Sequence, residues 1–415
     1  MWLLLLMILI MPLEQTPWLT LADSFLVFQD LTVIKLLGLC GFGWALLRIA
    51  AGDAPPLFAS RQARLFLVFF GGVVFSSLLS GSGFLVVSKY LAFLVFMTFV
   101  LVAVRDHDDL RRVVRMLPLA LIIVFPYGLR LMYRYNTRLG MGLWESNYFA
   151  ATVVATVPIA VAIALQQARP ARRWLWLGGA ALLGVEVVLT GSRGGFLGLL
   201  AATLTYVYRR RGLVAAAGVS ALVIGAVIVV PTELSERALA TLSENAEVPP
   251  GLEQSNRAHT ALFWAALRMI SDAPILGVGP LNFMSLSMLY TGLDREAMAH
   301  NSYLEIAAEL GIPIFLVFLG VLATTFGTLT RASRLGGTPA ARELAGWAEG
   351  LRAGLVGFCV AGAFISAEYE KILWIIVFLS IVVGRFAARY EREAVVAPEP
   401  APLSPVPPVA WGSAP

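Results

Sequence analysis

Charge is scarce in this chain. Only 14% of its 415 residues are Asp, Glu, Lys or Arg, 59% are hydrophobic, and mean hydropathy is +0.80. Soluble globular domains carry roughly 25% charged residues, so that class is excluded. Cysteine is scarcer still. Cys40 and Cys359 both lie inside apolar runs, with no metal-ligand spacing, and read as buried apolar thiols. No HExxH, CxxC, P-loop or Rossmann glycine pattern is present. Histidine occurs only three times, at His107, His259 and His300.

What the chain has in quantity is long apolar runs. Runs of roughly 17–25 residues cross a bilayer core as helices. Spans are expected near 2–13, 32–48, 65–80, 84–104, 114–129, 148–165, 174–190, 194–208, 212–230, 312–330, 351–367 and 372–388. The first is short and lacks the positive leading region of a cleavable signal peptide, so it is read as an uncleaved span. The fold class expected is an all-α polytopic membrane protein of about twelve transmembrane helices with one large periplasmic loop containing short helices. Taking alternate loops as cytoplasmic collects twenty of the 31 Lys and Arg on one side, the positive-inside signature. The basic pI near 9.3 therefore signals loop charge rather than nucleic acid. Both termini are then inside.

Four regions follow. Residues 1–230 hold nine spans, 231–311 form the outer loop with catalytic elements, 312–390 hold three spans, and 391–415 form a proline-rich, disordered cytoplasmic tail. The loop carries ten Asp or Glu against four Arg, and a connection this long is functional or disordered. "SNRAHTALFWAALRMISDAP" (255–274) opens with capping residues and stops at a proline, so it reads as a helix. Residues 301–310 read as a second short helix closed by Gly311, with Pro313 in the first turn of the next span.

Several stretches carry candidate chemistry. "LTGSRGGFLGLL" (189–200) sets Arg193 at the outer end of two nearly loopless spans. Its glycines suit close helix packing or close approach of backbone to a ligand. Its arginine either snorkels or grips an anion as a fork. Glu186, seven residues earlier, is an intramembrane carboxylate and a functional candidate, unless it pairs with Arg193 or Lys89. Arg257 opens a helix where the dipole disfavours it, so a bound anion or Glu253 is expected to hold it. In "LWESNYFA" (143–150), Asn147 and Tyr148 either cap a helix or contact substrate, and Arg130, Arg134 and Arg138, outward against the positive-inside trend, suggest attraction to negatively charged lipid or substrate. "RDHDDLRR" (105–112) reads as an ordinary helix start, its acids suiting the dipole.

His300 directly precedes a helix, whose positive end disfavours a cationic imidazole and lowers its pKa. A neutral histidine accepts a proton near neutral pH. His259 reads as packed or exposed. A base beside two anion grips suits transfer of a sugar from a lipid diphosphate. That leaving group needs cations to stabilise its charge and no carboxylic acid to protonate it, so the missing carboxylate pair of ordinary glycosidases is explained.

Four pieces in order, "ESNYFA", "TGSRGG", "NRAHTALFWAALRMISDAPILGVGPLNF" and "AHNSYLEIAAELGIP", resemble the O-antigen ligase and polymerase superfamily of bacterial inner membranes. The similarity covers roughly residues 140–320. It implies a metal-independent, inverting, membrane-embedded glycosyltransferase without cofactor, its active site facing the periplasm. In it Arg193 and Arg257 would bind undecaprenyl diphosphate and His300 would be the essential histidine. Asn301, Asn147, Tyr148, Glu145, Glu186, Arg138, Asn282 and Tyr303 complete the candidate site. The implied partners are an undecaprenyl-diphosphate-linked polysaccharide donor, a lipid A–core acceptor and membrane lipids, with no nucleic acid. A short tail favours a ligase over a polymerase of the same superfamily. A lipid-oligosaccharide flippase is the alternative from another class, against which stands the absence of detectable halves.

Overall fold

Polar caps set the helix starts. Ser60 Oγ accepts from Ala63 N at 3.1 Å, Asp106 Oδ1 from Asp109 N at 2.7 Å, and Thr338 Oγ1 from Ala341 N at 3.2 Å. Each side chain satisfies one amide that the helix leaves unpaired. The computed structural model describes residues 1–14, 16, 19–22, 31–81, 85–141, 145–229 and 250–396. In it thirteen α-helices follow one another: α1 (Trp2–Ile10), α2 (Val33–Ala50), α3 (Arg61–Ser80), α4 (Leu85–Ala103), α5 (His107–Tyr135), α6 (Ser146–Leu165) and α7 (Pro170–Leu189). After them come α8 (Arg193–Val229), α9 (Pro250–Asp272), α10 (Asn282–Thr291), α11 (Ser302–Ala332), α12 (Pro339–Ala361) and α13 (Lys371–Val396). A small ribbon, β1 (Thr20–Ala22) antiparallel to β2 (Leu31–Thr32), lies between α1 and α2. The tail beyond residue 396 and loop residues 230–249 lie outside the described residues.

Eight of these helices are long and apolar enough to cross a bilayer: α2 to α6 and α11 to α13. Among the described residues, four of the twelve expected spans fall outside this set. The first is a nine-residue helix followed by a 3-10 turn over Met11–Leu13, short of the ~20 residues a span needs. Helix α7 carries Arg172, Arg173 and Glu186. The expected spans 194–208 and 212–230 are the two helical stretches of α8, which meet at a break at Gly212, φ 80°, directly after Arg209, Arg210 and Arg211. The span expected at 351–367 also differs. Helix α12 stops at Ala361, and the apolar run beyond it turns back to bind the start of α11.

Small residues draw three helices into one core. A Cβ on Gly354 of α12 would lie 2.1 Å from the Ala155 carbonyl of α6, and one on Gly198 of α8 would lie 2.6 Å from the Gly357 carbonyl. Such contacts require bare backbone, the usual device of helix association where lipid supplies no hydrophobic drive. A second packing centre is aromatic. Trp374 meets Phe66 at 5.0 Å, Phe93 at 5.6 Å, and Phe69 and Tyr90 at 5.9 Å between ring centroids.

The loop helices dock on the end of the bundle where α11 begins. Tyr290 Oη donates to Asp272 Oδ2 at 2.7 Å, tying α10 to α9. The connecting turn then crosses α11 where Gly311, φ 79°, breaks it. Val278 N donates to Ala308 O at 2.8 Å and Ile312 N to Pro274 O at 2.8 Å. A Cβ on Gly277 would fall 2.2 Å from Glu309 O, so only glycine permits this crossing. The expected break at Gly311 is thus a backbone junction that fixes the loop to the bundle.

Candidate functional site

His300 sits in a strained turn. Its φ is +50°, one of three non-glycine residues with positive φ among those described, a conformation that costs energy and persists only when its surroundings enforce it. The enforcement is visible on both sides. Before it, Ala299 N donates to Glu305 Oε2 at 3.0 Å, and the Ser366 hydroxyl donates to the same oxygen. After it, Asn301 Oδ1 accepts from Tyr303 N at 3.0 Å and Leu304 N at 3.1 Å, capping α11. Ser302 N donates to Gly362 O at 2.9 Å, Ser302 Oγ donates to Ile365 O at 2.8 Å, and Ala367 N donates to Ser302 Oγ at 2.7 Å. Further back, Ala297 N donates to Ser287 Oγ on α10 at 3.0 Å.

The His300 imidazole itself is held by packing. Among the described residues nothing hydrogen-bonds either ring nitrogen; its ring partner is His259 of α9, 4.8 Å away between centroids. Burial, with His259 and Arg295 adding positive charge, pushes the His300 imidazole down to about 4. The direction expected from sequence holds, but burial rather than a helix dipole is the main cause. Burial and then the Arg193 charge likewise lower His259. His259, expected to be packed or exposed, is therefore the ring neighbour of His300.

Arg193 is the first residue of α8. The turn before it is built locally: Ser192 N donates to Thr190 Oγ1 at 3.2 Å and Gly195 N donates to Ser192 Oγ at 3.1 Å. Its glycines serve packing rather than ligand approach. A Cβ on Gly194 would lie 2.8 Å from Phe364 Cβ, and one on Gly195 2.6 Å from Ala150 Cβ. Arg257 on α9 is exposed, and helix residues two apart do not share a face, so His259 and Arg257 point differently. The side chain of Glu253, expected beside Arg257, lies outside the described residues.

Several expected substrate ligands are engaged elsewhere. Asn301 gives its side-chain oxygen to the helix cap. Tyr303 Oη donates to Cys359 O at 2.7 Å, stapling α11 to α12. Asn282 Nδ2 donates to Val278 O at 2.8 Å and braces the crossing turn. Asn147 does not cap α6; its amide donates to Glu145 Oε1 at 2.5 Å, which also accepts from Arg138 at 3.3 Å. Leu143 and Trp144 of the same motif lie outside the described residues. Tyr148 does reach the site loop, its hydroxyl 3.5 Å from Met298 Sδ. Glu186 is fully buried and pairs with neither Arg193 nor Lys89; among the described residues its carboxylate has no hydrogen-bond partner.

Lys89 lies instead over the Tyr369 ring, 4.6 Å from its centroid. Around it the fold buries three carboxyls, Glu305, Glu309 and Glu368, beneath the His300 turn. Glu309 accepts from Phe283 N at 3.2 Å and so caps α10. Among the described residues no partner hydrogen-bonds the Glu368 carboxylate; burial, then the neighbouring Glu305 charge, push it well above the usual carboxyl range. A neutral acid is how such a group sits in an apolar interior. Sequence reading missed Ser366 and Glu368 because "AFISAE" looked like the end of a span.

Residues 178–319 match a family model described as O-antigen ligase. No curated protein matches the chain. The matched segment contains Arg193, Arg257, His259, Glu305 and His300, and three of the four resembling pieces; "ESNYFA" precedes it. Through this segment the chain, a multi-pass membrane protein, is similar to the O-antigen ligase and polymerase superfamily.

Proposed function

We propose that the protein transfers a polysaccharide from undecaprenyl diphosphate to lipid A–core at the periplasmic face of the inner membrane, without metal and with inversion. The observation that carries this reading is His300: a half-buried, neutral imidazole without a hydrogen-bond partner among the described residues, against His259 and within reach of the Arg193 charge that acts on His259. Such a base takes the proton of the acceptor hydroxyl as its oxygen attacks the anomeric carbon. The C–O bond to the diphosphate breaks on the opposite face and the electron pair leaves with it. Arg193 and the exposed Arg257 are the cations proposed to hold that charge, where a preorganised donor is worth most. The expected gathering of twenty of the 31 basic residues in alternate loops supports the proposal that this end faces outside.

Purified protein incubated with the lipid-linked polysaccharide and lipid A–core, without nucleotide or metal, should join the two. Extension of the donor by itself would make the protein a polymerase. Movement of labelled donor across a vesicle without covalent transfer would overturn the enzymatic reading. The orientation has its own test: single cysteines at Ser243 and Ser404 should label from opposite sides with an impermeant thiol reagent.

A further inference from the structure

Two histidines meet here, and only one has a role so far. His259 shares a face of α9 with the buried Leu262 and Ala266, three and seven residues on. That face turns its ring onto His300, 4.8 Å between centroids and tilted by 43°. The cation acting on His259 is Arg193, whereas the charged neighbours acting on His300 are His259 and Arg295. His259 thus lies against His300 and within reach of the Arg193 charge.

Its ring is half-buried, and burial and the arginine both oppose a proton on it. A neutral imidazole has one N–H donor and one acceptor nitrogen. Among the described residues neither nitrogen of His259 is hydrogen-bonded, so its donor is left for a ligand. A neutral donor next to a guanidinium widens an anion site without adding charge that would repel the proton arriving at His300. We propose that His259 is a further catalytic residue, giving its N–H to the departing diphosphate beside Arg193. This rests on the function proposed above. In the step, the acceptor O–H proton goes to His300 and the acceptor oxygen's electron pair forms the new bond to the anomeric carbon. The old C–O bond breaks, and its pair stays on the diphosphate oxygen, where Arg193 and the His259 N–H meet it.

The competing account is that the ring only fills space, which phenylalanine would do as well. Full-length protein in lipid nanodiscs distinguishes the two, with transfer kinetics and binding of undecaprenyl diphosphate as readouts. His259→Phe keeps the ring and removes the donor; it should lower kcat about 10- to 100-fold and weaken undecaprenyl diphosphate about tenfold or more, the range for a hydrogen bond to a charged group. His259→Asn or His259→Gln, which each place an amide N–H near one imidazole nitrogen, should recover most of that loss in at least one case. A fully active His259→Phe overturns the proposal, as does equal loss in all three variants, which would mean that shape alone matters. If the wild-type protein transfers nothing, the functional reading fails by itself, and binding still decides: equal affinity of wild type and His259→Phe for undecaprenyl diphosphate sinks the donor role.

Discussion

At one end of α12, His107 accepts or donates at both ring nitrogens, 3.0 Å from Glu343 Oε2 and 2.9 Å from Tyr390 Oη, and stacks on Trp347 at 4.8 Å. Arg111 completes that knot with a fork onto Glu343. At the other end, about 24 Å away along the helix from Glu343 to Cys359 at 1.5 Å per residue, His300 has a ring neighbour and no hydrogen bond. Both rings are largely enclosed, so burial does not separate them. The difference lies in what their nitrogens are doing. His107 has spent its hydrogen-bonding capacity on joining α5, α12 and α13, while the backbone around His300 is fastened at many points so that the ring need not be. A protein rigidifies the support and leaves the reacting group open.

The largest effect should separate the two histidines. His300→Ala is expected to lower kcat by roughly 10²- to 10⁴-fold, the range for a lost general base, while the protein still inserts and binds donor. Retained turnover in that variant would strip the open histidine of its role. Next comes the cation. Arg193→Ala should cost about 10- to 150-fold, the range for a hydrogen bond to charge, and Arg193→Lys should recover little because the fork is lost. Wild-type rates in the lysine variant would reduce Arg193 to a generic positive charge.

The pH profile sharpens the contrast further. Burial lowers His300 to about 4, so the neutral base persists through the mildly acidic range. The chemical step should fall only as pH drops towards about 4, rather than near the ordinary value of about 6.5, and that limb should vanish from the residual rate of His300→Gln. A limb at 6.5 would mean that the ring is solvated in the working enzyme. Smaller still is the support. Ser366→Ala removes one hydrogen bond to Glu305, and a loss of about 3- to 10-fold in kcat with unchanged KM is expected, since one neutral hydrogen bond nets about 1 kcal/mol. Glu305→Gln keeps an acceptor for Ala299 N and should lose less than Glu305→Ala. A change confined to KM would place this clamp at substrate binding instead. The smallest catalytic effect belongs to His107→Ala: a lower unfolding temperature and an unchanged kcat. Lost turnover at intact stability would erase the distinction between the two ends.

Much of this site was legible in order but not in arrangement. Arg193 and His300 stood out because charge and histidine are rare in the chain, and the break at Gly311 followed from glycine and proline placement. His259 did not stand out, since a histidine inside an amphipathic helix has no local signal of what it faces. Asn301, Tyr303 and Asn282 entered the candidate site with the family resemblance. Their hydrogen bonds are made to a cap, to Cys359 O and to Val278 O, and two of these three partners are far from obvious in sequence. Glu186 left two readings open in the sequence, a functional carboxylate or a partner of Arg193 or Lys89, and among the described residues it is buried without a hydrogen-bond partner.

The sequence by itself determined a multi-span helical membrane protein, the acid-led helix start at 105–112, the break at Gly311, and the likeness of its central segment to one family. These depend on composition, local hydrogen bonding and order along the chain, all of which are properties of neighbouring residues. Only the tertiary structure decided which apolar runs are single helices, where α12 ends, and which side chains surround His300. Ser366 reaches Glu305 from 61 positions away and His259 meets His300 from 41. Contacts of that separation are fixed by how whole helices pack, and the glycine crossings at Gly277, Gly354 and Gly357 set that packing by letting backbones touch.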